Sequence, residues 1–217
     1  MANLKLYGYW RSSATYRVRI ALNLKGLAYE TVPVHLVRDG GEQHRADFLE
    51  LNPIGQVPVL LHGERTLRQS LAIIEYLEDL RPEPSLFPRE ARDRARVRAM
   101  ALLVACEIHP LCNLRVLQHL EHTMGMDDAG RVDWMRHWMA QGLAAFEAMV
   151  HDHPSTGDFC EGDIPGLADC FLIPQLYNAH RHGLDLEPYP TLRRIEANCL
   201  DLPAFQAAVP EQQPDAV

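Results

Sequence analysis

The spacing of apolar and polar side chains changes character near residue 80. Before it, short alternating runs and short helical runs take turns. Leu4 to Tyr9 alternates loosely and predicts a strand. Tyr16 to Lys25 places Val18, Ala21 and Leu22 at helical spacing, with Arg17 and Arg19 between them, and Gly26 ends it. Tyr29 to Leu36 predicts a second strand. Phe48 and Leu51 close a short helix before Asn52-Pro53. Val57 to Leu61 predicts a third strand, and Gly63-Glu64 a hairpin turn into a fourth. Ser70 to Leu80 carries Leu71, Ile73, Ile74 and Leu77 and predicts a helix. The order βαβαββα signals a small α/β domain over residues 1–83.

Arg81-Pro82-Glu83-Pro84 interrupts the pattern, since two prolines in this stretch cannot continue a helix. Beyond it only helical periodicity appears, so residues 90–217 are expected to form an all-α domain. Arg89 to Gln118 repeats Val97, Met100, Ala101, Val104, Ala105 and Ile108 on one face, and Pro110 is expected to kink it or sit near a break. Trp134 to Val150 and Leu167 to His182 predict two more helices.

Composition narrows the function classes. The 217 residues carry 47% hydrophobic and 23% charged side chains, the balance of a globular chain. A formal charge of −8 argues against a nucleic-acid or anionic-membrane partner. No apolar run approaches the ~20 residues needed to span a bilayer, and the first residues lack a signal-peptide pattern, so a cytoplasmic location is expected. Cys106, Cys112, Cys160, Cys170 and Cys199 are odd in number and contain no C-x-x-C pair. They read as reduced thiols rather than a disulfide framework or zinc site. His119 and His122 lack a third ligand at metal spacing, so no metal is expected.

Four local features in the first domain could carry chemistry. Arg11-Ser12-Ser13 lies at a strand-to-helix junction, where unpaired N–H groups and hydroxyls can stabilise an anion such as a thiolate. Taken alone, plain helix capping is the better reading of that motif. Val57-Pro58 is a candidate cis peptide, whose Val57 backbone groups could pair with a peptide-like ligand, although an ordinary trans proline at a strand edge is the stronger reading of these residues alone. Gln69-Ser70 opens a second helix, with Ser70 as its expected cap and a carboxylate as a possible guest. Asn52-Pro53-Ile54-Gly55-Gln56 is a turn leading into Val57.

Each feature is weak alone, but their order resembles the glutathione transferases, and the zeta class in particular. The matching text is Arg11-Ser12-Ser13-Ala14-Thr15-Tyr16-Arg17-Val18-Arg19, Leu51-Asn52-Pro53, Gln56-Val57-Pro58 and Gln69-Ser70-Leu71-Ala72-Ile73-Ile74-Glu75-Tyr76-Leu77. In the helical part, Leu167-Ala168-Asp169 and Asp185-Leu186-Glu187-Pro188-Tyr189-Pro190 also match. The resemblance spans nearly the whole chain. It implies a thioredoxin-like domain followed by a helical bundle, glutathione as cofactor, and a homodimer. It also implies glutathione-dependent cis–trans isomerisation of a small dicarboxylic keto acid, maleylacetoacetate ahead of maleylpyruvate.

The resemblance further implies site residues. Ser12 and Ser13 would face the glutathione sulfur. Val57 would pair with its cysteinyl backbone. Gln69 and Ser70 would hold its γ-glutamyl end, and Gln43, His109 and Asn113 would make further contacts. Arg11, Arg181 and Arg115 would grip the substrate carboxylates. A solvated surface arginine is the stronger reading for Arg115 and an equal one for Arg181.

The chain departs from the family pattern twice. Ala14 stands where a cysteine is usual, which excludes a mechanism through a protein thiol at that position. Gly166 stands where the family's helix begins with Ser or Thr, at a cost of a few tenths of a kcal/mol. Two other readings share the glutathione site: a transferase acting on α-haloacids, and a non-catalytic glutathione-binding protein.

Overall fold

The computed structural model describes residues 3–216, in two compact units. The first comprises residues up to Leu86 together with those from Leu200 onward, and the second runs from Phe87 to Cys199. The expected second domain, 90–217, took in the residues from Leu200 onward, which the structure groups with the first unit.

The first unit has the predicted order. Strands β1 (Leu4–Gly8), β2 (Tyr29–Pro33), β3 (Val59–His62) and β4 (Arg65–Arg68) form one sheet in the order β2-β1-β3-β4. Helices α1 (Ser13–Leu24), α2 (Ala46–Leu51) and α3 (Ser70–Leu80) connect or follow them. β1 pairs parallel to β2 with Leu4 opposite Tyr29, and antiparallel to β3 with Leu4 opposite His62. Parallel neighbours require a crossover, and α1 supplies it. The second strand stops at Pro33 instead of Leu36. α1 ends at a glycine in the left-handed region, Gly26 at φ 60°. There Leu27 N–H bonds Leu22 C=O and Gly26 N–H bonds Asn23 C=O, satisfying two carbonyls that helix termination would orphan.

α1 and α3 pack side by side. Val18, Ile20, Leu22, Leu60, Ile73, Ile74 and Leu77 are fully buried in this unit. Val34, Phe48 and Val59 form a separate cluster, flanked by Tyr7, Val57 and Leu61. Arg17 and Arg19, between the apolar positions of α1, are buried too, at 2% exposure each. Buried guanidinium groups must be hydrogen-bonded, and both donate to partners far along the chain. Lys25 is likewise buried, and its ammonium binds Glu78, Pro82 C=O at 3.2 Å and Pro84 C=O at 2.6 Å. It ties α1 to the proline-rich stretch that follows α3.

The second unit holds α4 (Ala91–Leu102), α5 (Leu114–His122), α6 (Asp128–Val150), α7 (Leu167–Arg181) and most of α8 (Pro190–Leu200). α9 (Pro203–Gln206) belongs to the first unit. The single helix expected over Arg89 to Gln118 is two helices. After α4 the chain widens into a π-helical stretch, Leu103–Ile108, breaks at His109-Pro110, and restarts as α5. The π stretch and the proline together redirect the chain, as such irregularities do. Ile108 there packs against Gly142 of α6, where a Cβ would lie 2.2 Å from Ile108 Cγ1. α6 begins six residues before the predicted Trp134, because Asp127 caps it by accepting from Gly130 N–H at 2.8 Å. Among the described residues no helix is long and apolar enough to cross a membrane.

Candidate functional site

The turn between β1 and α1 is built by close approach. At Gly8 a Cβ would sit 2.3 Å from Thr15 Cγ2, so only glycine lets the strand end reach the helix start. Ser12 N–H donates to Tyr9 C=O at 3.0 Å and closes the turn. Ser12 is the N-cap of α1, its Oγ accepting from Thr15 N–H at 3.2 Å. Its hydroxyl proton is not used in that bond. Ser13 is the first helical residue, half-buried, and its hydroxyl makes no hydrogen bond among the described residues. The capping bond therefore falls on Ser12 alone and leaves the Ser13 hydroxyl outside it. Arg11 is half-buried, its guanidinium 4.6 Å from the centre of the Trp10 ring.

The start of α3 differs from its prediction. The N-cap position belongs to Gln69, whose side chain makes no capping bond and whose φ is +70°. A non-glycine residue there is strained, and such strain concentrates where a ligand is held. Ser70 is therefore not the cap. It is the first helical residue, 7% exposed, and its Oγ accepts from Arg17 Nη1 at 3.2 Å. That bond brings the second helix start to a residue of α1. Sequence reasoning missed Arg17, since nothing local distinguishes a buried arginine from a solvated one.

Val57-Pro58 is a cis peptide, the form that the residues alone made a candidate but not the stronger reading. Asn52 shapes the turn before it. Its Nδ2 donates to Gln56 C=O at 2.7 Å, and its C=O accepts from Gly55 N–H at 2.9 Å. Neither the N–H nor the C=O of Val57 pairs with another backbone group among the described residues. Gln43 lies in a 3₁₀ turn, Glu42–His44, and is 5% exposed. Its Nε2 donates to Leu36 C=O at 3.1 Å, while its Oε1 is buried with no partner.

The remaining predicted residues lie in the second unit. His109 closes the π stretch, and its Nε2 is 3.5 Å from Asn113 Nδ2. Asn113 is also the N-cap of α5, accepting from Arg115 N–H at 3.2 Å. Arg115 is exposed in the first turn of α5, and Arg181 is exposed as the last residue of α7. Gly166 is the N-cap of α7, and its N–H is held by Asp169 Oδ2 at 2.8 Å. The other Asp169 oxygen accepts from Cys160 N–H at 3.0 Å. Burial pushes the Asp169 carboxyl above its usual range, and these two backbone bonds offset part of that rise.

Among the described residues no three of His, Cys, Asp and Glu are grouped to hold a metal. Among the described residues no cysteine forms a disulfide; Cys160, Cys170 and Cys199 are buried and Cys106 is exposed. Burial raises the Cys112 thiol to about 11. No cysteine lies in the β1–α1 turn, so the chain offers hydroxyls and helix N–H groups there.

Residues 2–79 match the glutathione S-transferase N-terminal domain. The chain is 51% identical to a probable maleylacetoacetate isomerase of Vibrio cholerae over 216 residues, 100% of each chain. It superposes on a holo maleyl pyruvate isomerase, described as a bacterial zeta-class glutathione S-transferase, with TM-score 0.95 and 46% identity. That match covers 98% of this chain and 100% of the other. A maleylacetoacetate isomerase of Anaeromyxobacter dehalogenans, solved with dicarboxyethyl glutathione and citrate in the active site, matches with TM-score 0.86 and 47% identity. It covers 99% of this chain and 94% of that one. With its glutathione-transferase sheet order, its hydroxyl-bearing helix starts and relatives this similar from end to end, the chain belongs to the zeta class of the glutathione transferases.

Proposed function

We propose that the chain is a glutathione-dependent isomerase that converts maleylacetoacetate to fumarylacetoacetate. The observation that carries this reading is end-to-end similarity to maleylacetoacetate isomerases together with an active-site turn that has hydroxyls and no thiol. Glutathione fits the first unit: the unpaired Val57 backbone suits a peptide-like ligand, and the buried, unpartnered Gln43 Oε1 awaits a donor. When bound, glutathione supplies a thiolate that adds to the double bond and leaves again after rotation.

The chain's own residues then have three tasks. Ser12 and Ser13, with the N–H groups at the start of α1, hold negative charge at the sulfur. Each unit of lowered thiol pKa corresponds to about 1.4 kcal/mol of thiolate stabilisation. Gln69 and Ser70 orient the γ-glutamyl end at the start of α3, and Val57 holds the backbone between. Arg11, Arg181 and Arg115 are the groups for substrate carboxylates, with His109 and Asn113 as further contacts to glutathione. The relative holding dicarboxyethyl glutathione, a glutathione adduct bearing two carboxylates, supports this chemistry.

Ultraviolet absorbance of maleylacetoacetate, followed with and without glutathione, tests the reading. A glutathione-dependent change is expected. No change for this substrate or for maleylpyruvate removes the reading. Maleylpyruvate is the second reading, favoured by the match to a maleyl pyruvate isomerase and by Arg115. Cytoplasmic residence and homodimerisation belong to the same reading, and light scattering on the purified chain tests the dimer.

A further inference from the structure

The turn that carries Ser12 is held from the far end of the chain. Trp10 N–H donates to Asp215 Oδ2 at 2.9 Å, across 205 residues of sequence. Trp10 C=O accepts from Arg19 Nη2 at 2.9 Å, and the same guanidinium donates from Nε to Ala208 C=O at 3.0 Å. Asn23 Nδ2 donates to Ala204 C=O at 2.9 Å. The segment is itself braced. Phe205 and Ala208 are fully buried, and Gln213 Nε2 donates to Ala207 C=O at 3.1 Å and Val209 C=O at 2.8 Å. Both backbone groups of Trp10 are thus fixed by this segment, one directly and one through Arg19.

Only Arg11 separates Trp10 from Ser12, and Ser12 N–H is already bound to Tyr9 C=O. The place of the Ser12 and Ser13 hydroxyls therefore depends on where Trp10 is held. Stabilising a thiolate depends steeply on donor position, because preorganised donors must meet the charge where it sits. We propose that the segment following α9 is a latch for the β1–α1 turn, with Asp215 as a positioning residue for the thiolate site. This rests on the reading of Ser12 and Ser13 as that site. It assigns Asp215 no contact with glutathione or substrate.

The test uses the full chain and the variants Asp215→Ala, Asp215→Asn and Asp215→Glu. Amide hydrogen exchange at Trp10 without glutathione reads the latch, and exchange about tenfold faster in Asp215→Ala is expected. Thiolate absorbance of bound glutathione against pH reads the consequence. A raised thiol pKa and a loss of about tenfold in kcat/KM are expected for Asp215→Ala. Asp215→Asn keeps an acceptor for the Trp10 N–H and should stay within about threefold of wild type.

Unchanged exchange in Asp215→Ala overturns the latch. Faster exchange with an unchanged thiol pKa overturns the positioning role. If Asp215→Ala fails to fold, Asp215→Glu decides, because its longer side chain keeps the charge but displaces the turn. A wild-type thiol pKa in that variant sinks the proposal. A wild-type chain that binds no glutathione thiolate instead overturns the isomerase reading beneath it, and the exchange result stands apart from that failure.

Discussion

Arg17 Nη1 donates to Ser70 Oγ at 3.2 Å, so the helix that starts at the Ser12–Ser13 turn is tied to the start of α3. Ser70 Oγ thereby serves a buried guanidinium. In the proposed site its hydroxyl would also meet the γ-glutamyl end of glutathione. Ser70→Ala should cost about 1–2 kcal/mol in urea unfolding, in the range for hydrogen bonds to charged groups. It should also weaken glutathione binding about tenfold by calorimetry. Full stability with weakened binding would show that the Arg17 bond is dispensable.

Ser12 and Ser13 should separate in a pair of variants. Ser12→Ala removes the cap on Thr15 N–H and should cost about 1 kcal/mol of stability. Ser13→Ala removes no hydrogen bond made within the described residues and should leave the unfolding midpoint unchanged. The thiol pKa of bound glutathione in each variant then reports which hydroxyl reaches the sulfur. No rise in either would remove both from the thiolate site.

Gly8→Ala forces a methyl to within 2.3 Å of Thr15 Cγ2. Thr15 is buried at 2% exposure and has no room to yield, so the strand end and helix start must part. A loss of about 1–3 kcal/mol is expected, the range for overpacking. Thermal unfolding measures it, and a variant as stable as wild type would show that the turn can relax.

Asp169 is buried at 1% exposure and serves two backbone N–H groups, those of Cys160 and Gly166. Asp169→Ala leaves both without an acceptor. About 3 kcal/mol should be lost, since each buried unsatisfied group costs about 1–3 kcal/mol. Because Gly166 has no side chain to share the capping, a milder loss would mean that water reaches this helix start.

Thiol labelling at pH 8 should be fast at Cys106, which is exposed, and slow at Cys112. Burial holds the Cys112 thiol up at about 11 in place of 9.0, so it stays protonated. The folded value lies above the unfolded one. This group's contribution to stability is therefore present below about pH 9 and is lost as pH rises toward 11. Mass spectrometry of the labelled chain identifies the site, and rapid modification of Cys112 would contradict its burial.

The glutathione-transferase order of elements could be read from the sequence because its signals are local. Alternation, helical spacing, Gly26 and the proline-rich stretch each act within a few residues, and the same text made Val57-Pro58 a candidate cis peptide, although trans is the commoner form. The break at His109-Pro110 was visible, but the π stretch before it was not, and neither was the close approach of Ile108 to Gly142, a contact between residues far apart in the chain. α8 and α9 escaped the periodicity reading, and Ser70 was misplaced by one position because Gln69 takes the cap with a strained backbone.

By itself the sequence determined the strands and helices of the first unit, where hydroxyls stand at two helix starts, and that the turn carries no thiol. Only the tertiary structure decided that Arg17, Arg19 and Lys25 lie in the interior, that Ser70 answers Arg17, and that Asp215 holds Trp10. The physical reason is range. A cap or a turn is selected by neighbours a few residues away, whereas a buried charge survives only where distant backbone and side-chain groups converge on it. That convergence appears only when the chain is folded.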